Sequence, residues 1–220
     1  RLEQSFPESA HIPDETDLVL DPQPNPVWLT GVLQKHGFKQ PRVAYEHLMQ
    51  MAAEEIRPLS TRRCRFYLSR IAPELLQLVG RTPDPDTSLR NLASVSSSLG
   101  GKGVLWELLA SNPAMMQLIV RMCACGDYLV SLLTSSPGMI DELIDSLLLN
   151  RHPSRAELEL ILNKLCHEID DIDDVVHEFK KAMHLQVGVR ELLGKNTIDE
   201  THACLADIAE VCLSKIVEDE

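Results

Sequence analysis

Residues 99–103, Leu-Gly-Gly-Lys-Gly, form one stretch whose residue types could bind a phosphate. Closely spaced glycines leave backbone N–H groups accessible, and the lysine adds a positive charge. A Walker loop, however, requires the pattern G-x-x-x-x-G-K-[ST] after a strand, and here Gly103 follows the lysine. The residues that precede the stretch, NLASVSSSL, have a helical pattern. The stretch therefore predicts a break between two helices with a glycine at the helix end.

Paired aspartates could serve nucleotidyl transfer of the polymerase type. Such a site needs Gly-Ser before an Asp-x-Asp pair on a strand, because the two carboxylates hold Mg²⁺ against the triphosphate. The chain has two such pairs, Asp84/Asp86 in a proline-rich helix start and Asp171/Asp173 in an acidic helix start. Neither follows Gly-Ser on a strand. We therefore assign no catalytic residue, and no cofactor is expected in this chain.

The densest polar run, CHEIDDIDDVVHEF at 166–179, could suggest a metal site. Asp173 and His177 share a helix face at i, i+4, but two ligands do not make a site. Acidic residues also favour a helix N-terminus through the helix dipole. We favour a solvated helix start and expect no metal here. The potential ligands of the run are Cys166, His167, Asp170, Asp173, Asp174, His177 and Glu178.

A basic stretch, RPLSTRRCRFYLSR at 57–70, holds five arginines and no acid. It could bind a phosphate or an acidic partner surface. The alternative, which we favour, is that the acid-rich helices of the protein itself neutralise it. The residues expected to contact a partner, if one binds here, are Arg62, Arg63 and Arg65.

Charge and composition exclude several classes of partner. The net charge is −12; residues 1–110 carry 12 basic and 13 acidic residues, and residues 111–220 carry 9 and 20. An acidic surface repels nucleic acid and anionic membranes, so we expect neither as a partner. No apolar run approaches the roughly 20 residues that span a bilayer. The six cysteines show no Cys-x-x-Cys spacing and are interpreted as buried thiols in the reducing cytoplasm.

The elements that would position these residues are all helical. Helix starts are predicted at Asn25–Pro26, Pro41, Ser60, Asn112–Pro113 and Ser136–Pro137. Further starts are predicted at TPDPDTSL (82–89) and at two capping boxes, SRAE (154–157) and TIDE (197–200). Pro73 is expected to bend or end its helix, and Gly194 to end the long helix before it. No alternating strand pattern is present. The sequence predicts an all-α fold, an irregular multi-helix bundle of about ten helices without a sheet.

The order of these segments resembles the helical region of the bacterial glutamine synthetase adenylyltransferases, also called glutamate-ammonia-ligase adenylyltransferases. The resemblance spans roughly residues 26–217. Its most specific parts are Ala72–Pro73, the Pro-Asp-Pro-Asp turn at 83–86, Gly100–Gly101, Asn112–Pro113, and DELID at 141–145. Three longer segments carry it: RFYLSRIAPELLQLVGRTPDPDTSLRNLASVSSSLGGKGVLWELLASNP, CACGDYLVSLLTSSPGMIDELID and EFKKAMHLQVGVRELLG.

The resemblance implies a place in a bifunctional protein with two nucleotidyltransferase domains. One domain attaches AMP from ATP to a tyrosine of glutamine synthetase, and the other removes it by phosphorolysis. The resemblance also implies that glutamine and the PII signalling protein set the balance between the two activities, and that the parent protein uses Mg²⁺ and ATP. The partners are then glutamine synthetase, the flanking catalytic domains and, as a further candidate, PII. By the same resemblance, Lys102 lies at the surface, and Gln186 stands where many relatives have arginine.

The expected domain organisation follows from these patterns and the resemblance. Residues 1–24 are an acidic, Pro-rich linker, and residues 25–150 are the helical domain between the catalytic domains. Residues 151–220 are a bundle of long helices that leads into a nucleotidyltransferase domain beyond this chain. Two alternatives stay open: a helical scaffold that binds a partner through its arginines, and a self-contained enzyme with an unfamiliar site.

Overall fold

The structure is a computed structural model that describes residues 12–54, 60–136, 138–139, 151–167, 169 and 171–219. Within these residues it contains eleven α-helices and no strand, which confirms the predicted all-α fold. The helices are α1 (Asp14–Leu20), α2 (Pro26–Lys35), α3 (Pro41–Ala52), α4 (Thr61–Gly80), α5 (Pro85–Ser98), α6 (Lys102–Ser111), α7 (Pro113–Ala124), α8 (Asp127–Ser135), α9 (Arg155–Leu165), α10 (Asp173–Leu192) and α11 (Ile198–Asp219).

The predicted helix starts are confirmed where the structure describes them. At α2, the Asn25 side chain accepts hydrogen bonds from the N–H groups of Val27 and Trp28 at 2.9 and 3.4 Å. Ser60 caps α4 in the same way. Pro73 does not end α4, which continues to Gly80. The helix predicted after Ser136–Pro137 and the DELID segment at 141–145 lie outside the described residues.

The chain divides into two compact units, one up to Met116 and one from Gln117. The division falls inside α7, whereas the sequence predicted a boundary at residue 150. In the second unit α8 packs against α10, where Leu129 lies beside Gly188. This contact joins residues on the N-terminal side of position 150 to the last helices.

In the first unit, α4 packs against α1, α3 and α6. Residues 14–20 are helical, although the sequence predicted a linker over residues 1–24. Leu18 and Val19 of α1 are fully buried, and the Thr16 hydroxyl donates a hydrogen bond to the Ser69 carbonyl at 3.0 Å. The acidic first turn of α1 suits a helix N-terminus, so the acid-rich composition marks a short helix here rather than an extended segment.

The second unit has its own core, built where α9, α10 and α11 pack together. Both predicted capping boxes are present: Glu157 accepts from the Ser154 N–H, and Glu200 accepts from the Thr197 N–H, each at 2.7 Å. Gly194, with φ of 66°, follows the end of α10 as predicted. The buried core residues are Leu158, Leu162, Cys166, Ile172, Val176, Phe179, Met183, Val187, Ile208, Val211 and Cys212.

In the described parts of the chain, no single helix has the length and apolar character needed to cross a membrane. Helices α7 and α8 meet those criteria only when taken as a pair, and the pair is bent by 116°.

Candidate functional site

The three arginines expected to contact a partner lie in the first two turns of α4. Arg62 and Arg63 are exposed, and Arg65 is half-buried. The Nε atom of Arg65 is buried and has no hydrogen-bond partner among the described residues. The three side chains thus have different surroundings, and only Arg62 and Arg63 are exposed.

Arg63 is already paired within the protein. Its guanidinium forms an ion pair with Glu107 of α6, and the Tyr67 hydroxyl donates to the same carboxylate at 2.6 Å. The Tyr67 hydroxyl and Arg63 together hold the pKa of the Glu107 carboxyl below its usual value. The Arg63 guanidinium carbon also lies 5.8 Å from the centre of the Tyr67 ring. For this arginine the structure agrees with neutralisation by the protein's own acids, the alternative that the sequence favoured.

An exposed aromatic residue, which the sequence analysis did not single out, completes this surface. Phe66 is 52% exposed, and the guanidinium carbon of Arg70 lies 5.8 Å from the centre of its ring. Arg62, Phe66 and Arg70 follow one another at intervals of four residues, so they share one face of α4. We call these three residues the basic–aromatic stripe. The i, i+4, i+8 spacing was visible in the sequence, but the exposure of the phenylalanine was not.

The Leu-Gly-Gly-Lys-Gly stretch is the break between α5 and α6, as predicted. Gly100 has φ of 67°, a conformation that favours glycine, and α6 begins at Lys102. The expectation that Lys102 lies at the surface is wrong, because its side chain is only 2% exposed. Its ammonium nitrogen donates to the backbone carbonyl of Gln50, in the last turn of α3, at 2.9 Å. A lysine is stable there because the last carbonyls of a helix lack backbone partners and carry partial negative charge.

Two other side chains bind the carbonyl of Met51, the next residue of α3. The indole N–H of Trp106 in α6 donates to it at 3.0 Å, and the Cys64 thiol in α4 donates at 3.2 Å. α6 lies close to α4 at Gly103, where a Cβ atom would lie 3.4 Å from the Cys64 Cα. The glycine-rich stretch at 99–103 therefore positions α6 so that Lys102 and Trp106 bind the last carbonyls of α3.

Both Asp-x-Asp pairs are engaged at helix starts. Asp86 accepts hydrogen bonds from the backbone N–H groups of Lys39 and Gln40 at 2.8 and 3.1 Å, just before α3. Asp84 caps α5, and Asp171 accepts from the Asp173 N–H at 3.2 Å. These carboxylates bind backbone amides, which is a structural role.

The acidic run at 166–179 surrounds the start of α10. Asp173 lies in the first turn, and the His177 ring contacts its carbonyl at 2.8 Å. Glu178 accepts from the Ser136 hydroxyl at 2.8 Å and from Lys181 at 2.7 Å. Asp170 lies outside the described residues. Over the described ranges, no three side chains of His, Cys, Asp or Glu come together as metal ligands.

These features define a helical protein whose conspicuous polar residues cap helices or lie on an exposed basic–aromatic surface. Residues 116–220 match the family model of glutamate-ammonia ligase adenylyltransferase. The chain is also similar to proteins named bifunctional glutamine synthetase adenylyltransferase/adenylyl-removing enzyme. These similarities confirm the resemblance found in the sequence.

Three relatives show the extent of the similarity. The chain is 26% identical to the protein of Thioalkalivibrio sulfidiphilus over 192 residues, which cover 85% of this chain and 20% of the relative. It is 28% identical to that of Nitrosococcus oceani over 206 residues, covering 87% and 21% respectively. For Pseudomonas aeruginosa, the identity is 25% over 188 residues, covering 83% and 19%. The chain thus spans about a fifth of the length of these curated relatives.

Proposed function

We propose that this chain is a helical linker and regulatory domain of a bifunctional enzyme that adds AMP to glutamine synthetase and removes it. The alignment carries this proposal, because 85% of the chain matches one fifth of a relative whose name gives both activities. The parent protein then works in the cytoplasm with Mg²⁺ and ATP in its flanking nucleotidyltransferase domains. The isolated chain is catalytically silent.

The helical architecture supports such a role. The helices of each unit pack along buried apolar faces, and side-chain caps fix the starts of some of them, such as α2 and α5. Packed helices move between discrete arrangements, so a bundle can transmit a change at one catalytic domain to the other. Coupling between two sites of this kind is typically about 1–3 kcal/mol. Glutamine and PII are the signals that this domain would help to transmit.

The test combines a gene sequence with two assays of AMP transfer. The gene that encodes this chain should also encode a Gly-Ser…Asp-x-Asp strand on each side of it. The long protein should transfer radioactive AMP from ATP to glutamine synthetase of the same organism, and the 220-residue chain should not. Transfer by the isolated chain, or a gene without those flanking motifs, would refute the proposal.

A second candidate function, binding of an acidic partner protein, is favoured by the exposure of Phe66 beside Arg70 in the basic–aromatic stripe. An arginine and an aromatic ring supply a charge and an apolar contact on one helix face, a combination enriched at protein interfaces. Arg62 supplies a second charge beside Phe66, whereas the charge of Arg63 is already paired with Glu107. Arg65 contributes less because its Nε is buried.

The stripe is tested by reversing its charges in the long protein. The double variant Arg62→Glu/Arg70→Glu should weaken binding of glutamine synthetase or PII by about tenfold or more. Arg42→Glu/Arg90→Glu changes two exposed arginines elsewhere in the same unit by the same charge, and serves as the matched control. Equal binding by both variants, with unchanged helicity, would remove the stripe as a docking surface.

A further inference from the structure

The second unit contains a cavity of about 440 Å³ that none of the predicted sites includes. It lies between residues 125–129, which comprise the turn after α7 and the first residues of α8, and the helices α10 and α11. Its volume falls within the range of about 300–1,000 Å³ that is usual for small-molecule sites.

The walls of this cavity are mainly apolar. Leu129, Val187 and Leu205 line it from three different helices. Gly188 leaves space for the Leu129 side chain, because a Cβ atom there would lie only 2.6 Å from the Leu129 Cδ2 atom. An apolar group that enters the cavity could therefore displace water from this lining.

Two hydrogen-bonded pairs supply the polar groups of the cavity. The Tyr128 hydroxyl and the His184 Nδ1 atom are 2.5 Å apart. The Thr201 hydroxyl donates to the Glu191 carboxylate, also at 2.5 Å. Thr201 engages one carboxylate oxygen, which fixes the position of Glu191 beside the apolar wall.

The charge of the lining is negative. Asp127 and Glu191 are its two carboxylates, and no lysine or arginine belongs to the described lining. Burial, and to a lesser degree the charge of Lys180, lowers the pKa of His184 and so favours its neutral form. Arg121 lies nearby and keeps its positive charge while its guanidinium donates to the Leu192 carbonyl at 3.3 Å, so the two carboxylates outnumber it. The lining therefore favours positive charge over negative charge.

We infer that this cavity is a binding site for a small organic cation with an apolar body. The apolar body would lie against Leu129, Val187 and Leu205, and the cationic head would lie beside Glu191 and Asp127. Charge-assisted hydrogen bonds to a carboxylate are stronger than neutral ones, so the charge of the head decides the preference among ligands of equal size.

The test uses three probes of similar size and different charge: 2-phenylethylammonium, neutral 2-phenylethanol and anionic 3-phenylpropionate. Each is titrated into the 220-residue chain while the backbone amides of Gly126, Leu129 and Gly188 are followed by NMR. We expect the cation to shift these amides at millimolar concentration and to bind about three- to tenfold more tightly than the neutral probe. The anion should bind more weakly than either.

Two variants and one control variant test whether the probes bind in this cavity. Glu191→Gln should remove the preference for the cation, whereas Asp174→Asn, the same change at an exposed position of α10 outside the cavity, should retain it. Gly188→Ala should weaken all three probes, because Leu129 must move away from the new methyl group. Equal binding of the three probes, no shift of the cavity amides, or a cation preference that survives in Glu191→Gln would each overturn the inference.

Discussion

The ammonium nitrogen of Lys102 lies 2.9 Å from the carbonyl oxygen of Gln50, and the lysine side chain is almost fully buried. Lys102 begins α6, and Gln50 lies in the last turn of α3. A positive group at a helix C-terminus interacts favourably with the helix dipole and satisfies a carbonyl that has no backbone partner. The contact therefore explains why a lysine stands between glycines at 101 and 103: the short chain reversal brings it to the end of α3.

Replacing this lysine should destabilise the first unit. Lys102→Met keeps much of the side-chain length but leaves the Gln50 carbonyl without its charged donor, at a cost of about 1–3 kcal/mol in the free energy of unfolding. Urea unfolding followed by circular dichroism measures the change. Lys39→Met, at an exposed position of the same unit, is the matched control and should change stability by less than about 0.5 kcal/mol. If the two variants unfold at the same urea concentration, the buried contact does not stabilise the fold.

Two buried thiols should make the protein less stable at alkaline pH. Burial raises the pKa of Cys64 to about 11 and that of Cys123 to about 12. In the unfolded chain a cysteine ionises near pH 8.5, so above that pH the unfolded state binds fewer protons than the folded state. Stability is therefore unaffected below that value. It should fall by up to about 1.4 kcal/mol per pH unit for each thiol as pH rises towards the folded pKa.

The measurement is the free energy of unfolding between about pH 8 and pH 10.5, where the thiols of the unfolded chain ionise. Cys123→Ala should reduce the slope, while Cys125→Ala, which changes an exposed thiol two residues away, should leave it as it is. Thiol labelling of the folded protein at pH 8 should modify Cys125 well before Cys123. A Cys123→Ala protein with the original slope would show that burial of this thiol does not cause the alkaline loss.

The helix starts could be predicted from the sequence because a cap is a local feature. Asn25–Pro26, Ser60 and the box at 154–157 each place a side-chain acceptor within three residues of the N–H groups that need it. The end of α10 at Gly194 is equally local: the Lys195 N–H reaches the Arg190 carbonyl at 2.9 Å across one turn. Neither case depends on how the helices pack.

The features that the sequence did not predict depend on contacts between distant residues. The burial of Lys102 requires α3 to end beside α6, about fifty residues away, as the Gln50 contact shows. Leu18 and Val19 are buried because α1 packs against α4. A seven-residue helix in a Pro- and acid-rich segment is too short to show a periodic pattern in the sequence. The cavity near Glu191 likewise forms only where three helices meet. The arginines were identified, but their pairing, as of Arg63 with Glu107, was not.

The capping carboxylate of α9 should stay ionised in acid. Two hydrogen bonds from Arg151 and one from the Ser154 N–H hold the pKa of Glu157 far below its usual range. Because the folded pKa is lowered, the stabilisation is present above the unfolded value of about 4.3 and is lost as pH falls through the folded pKa. Glu157→Gln should therefore flatten the dependence of stability on pH below about pH 5.

A carboxyl titration by NMR tests the cause of the Glu157 shift directly. Arg151→Gln should raise the pKa of Glu157, because it removes the hydrogen bonds from Arg151, which are the largest cause of the shift. Arg155→Gln is the matched control, since Arg155 pairs with Glu159 and Glu210 instead. If both substitutions moved the Glu157 pKa equally, long-range charge rather than the hydrogen bonds would be responsible.

Two glycines in the first unit should respond to alanine with opposite signs. At Gly80, the last residue of α4, a Cβ atom would lie 2.6 Å from the backbone carbonyl oxygen of His36, which cannot move without displacing the end of α2. Gly80→Ala should therefore cost about 1–3 kcal/mol, the usual range for forced overpacking. At Gly31, in the middle of α2, a Cβ atom meets nothing within 4 Å, so Gly31→Ala should stabilise the unit by about 0.5–1 kcal/mol. Thermal unfolding of both variants measures the two shifts, and a Gly80→Ala protein as stable as Gly31→Ala would mean that α2 and α4 do not approach at this point.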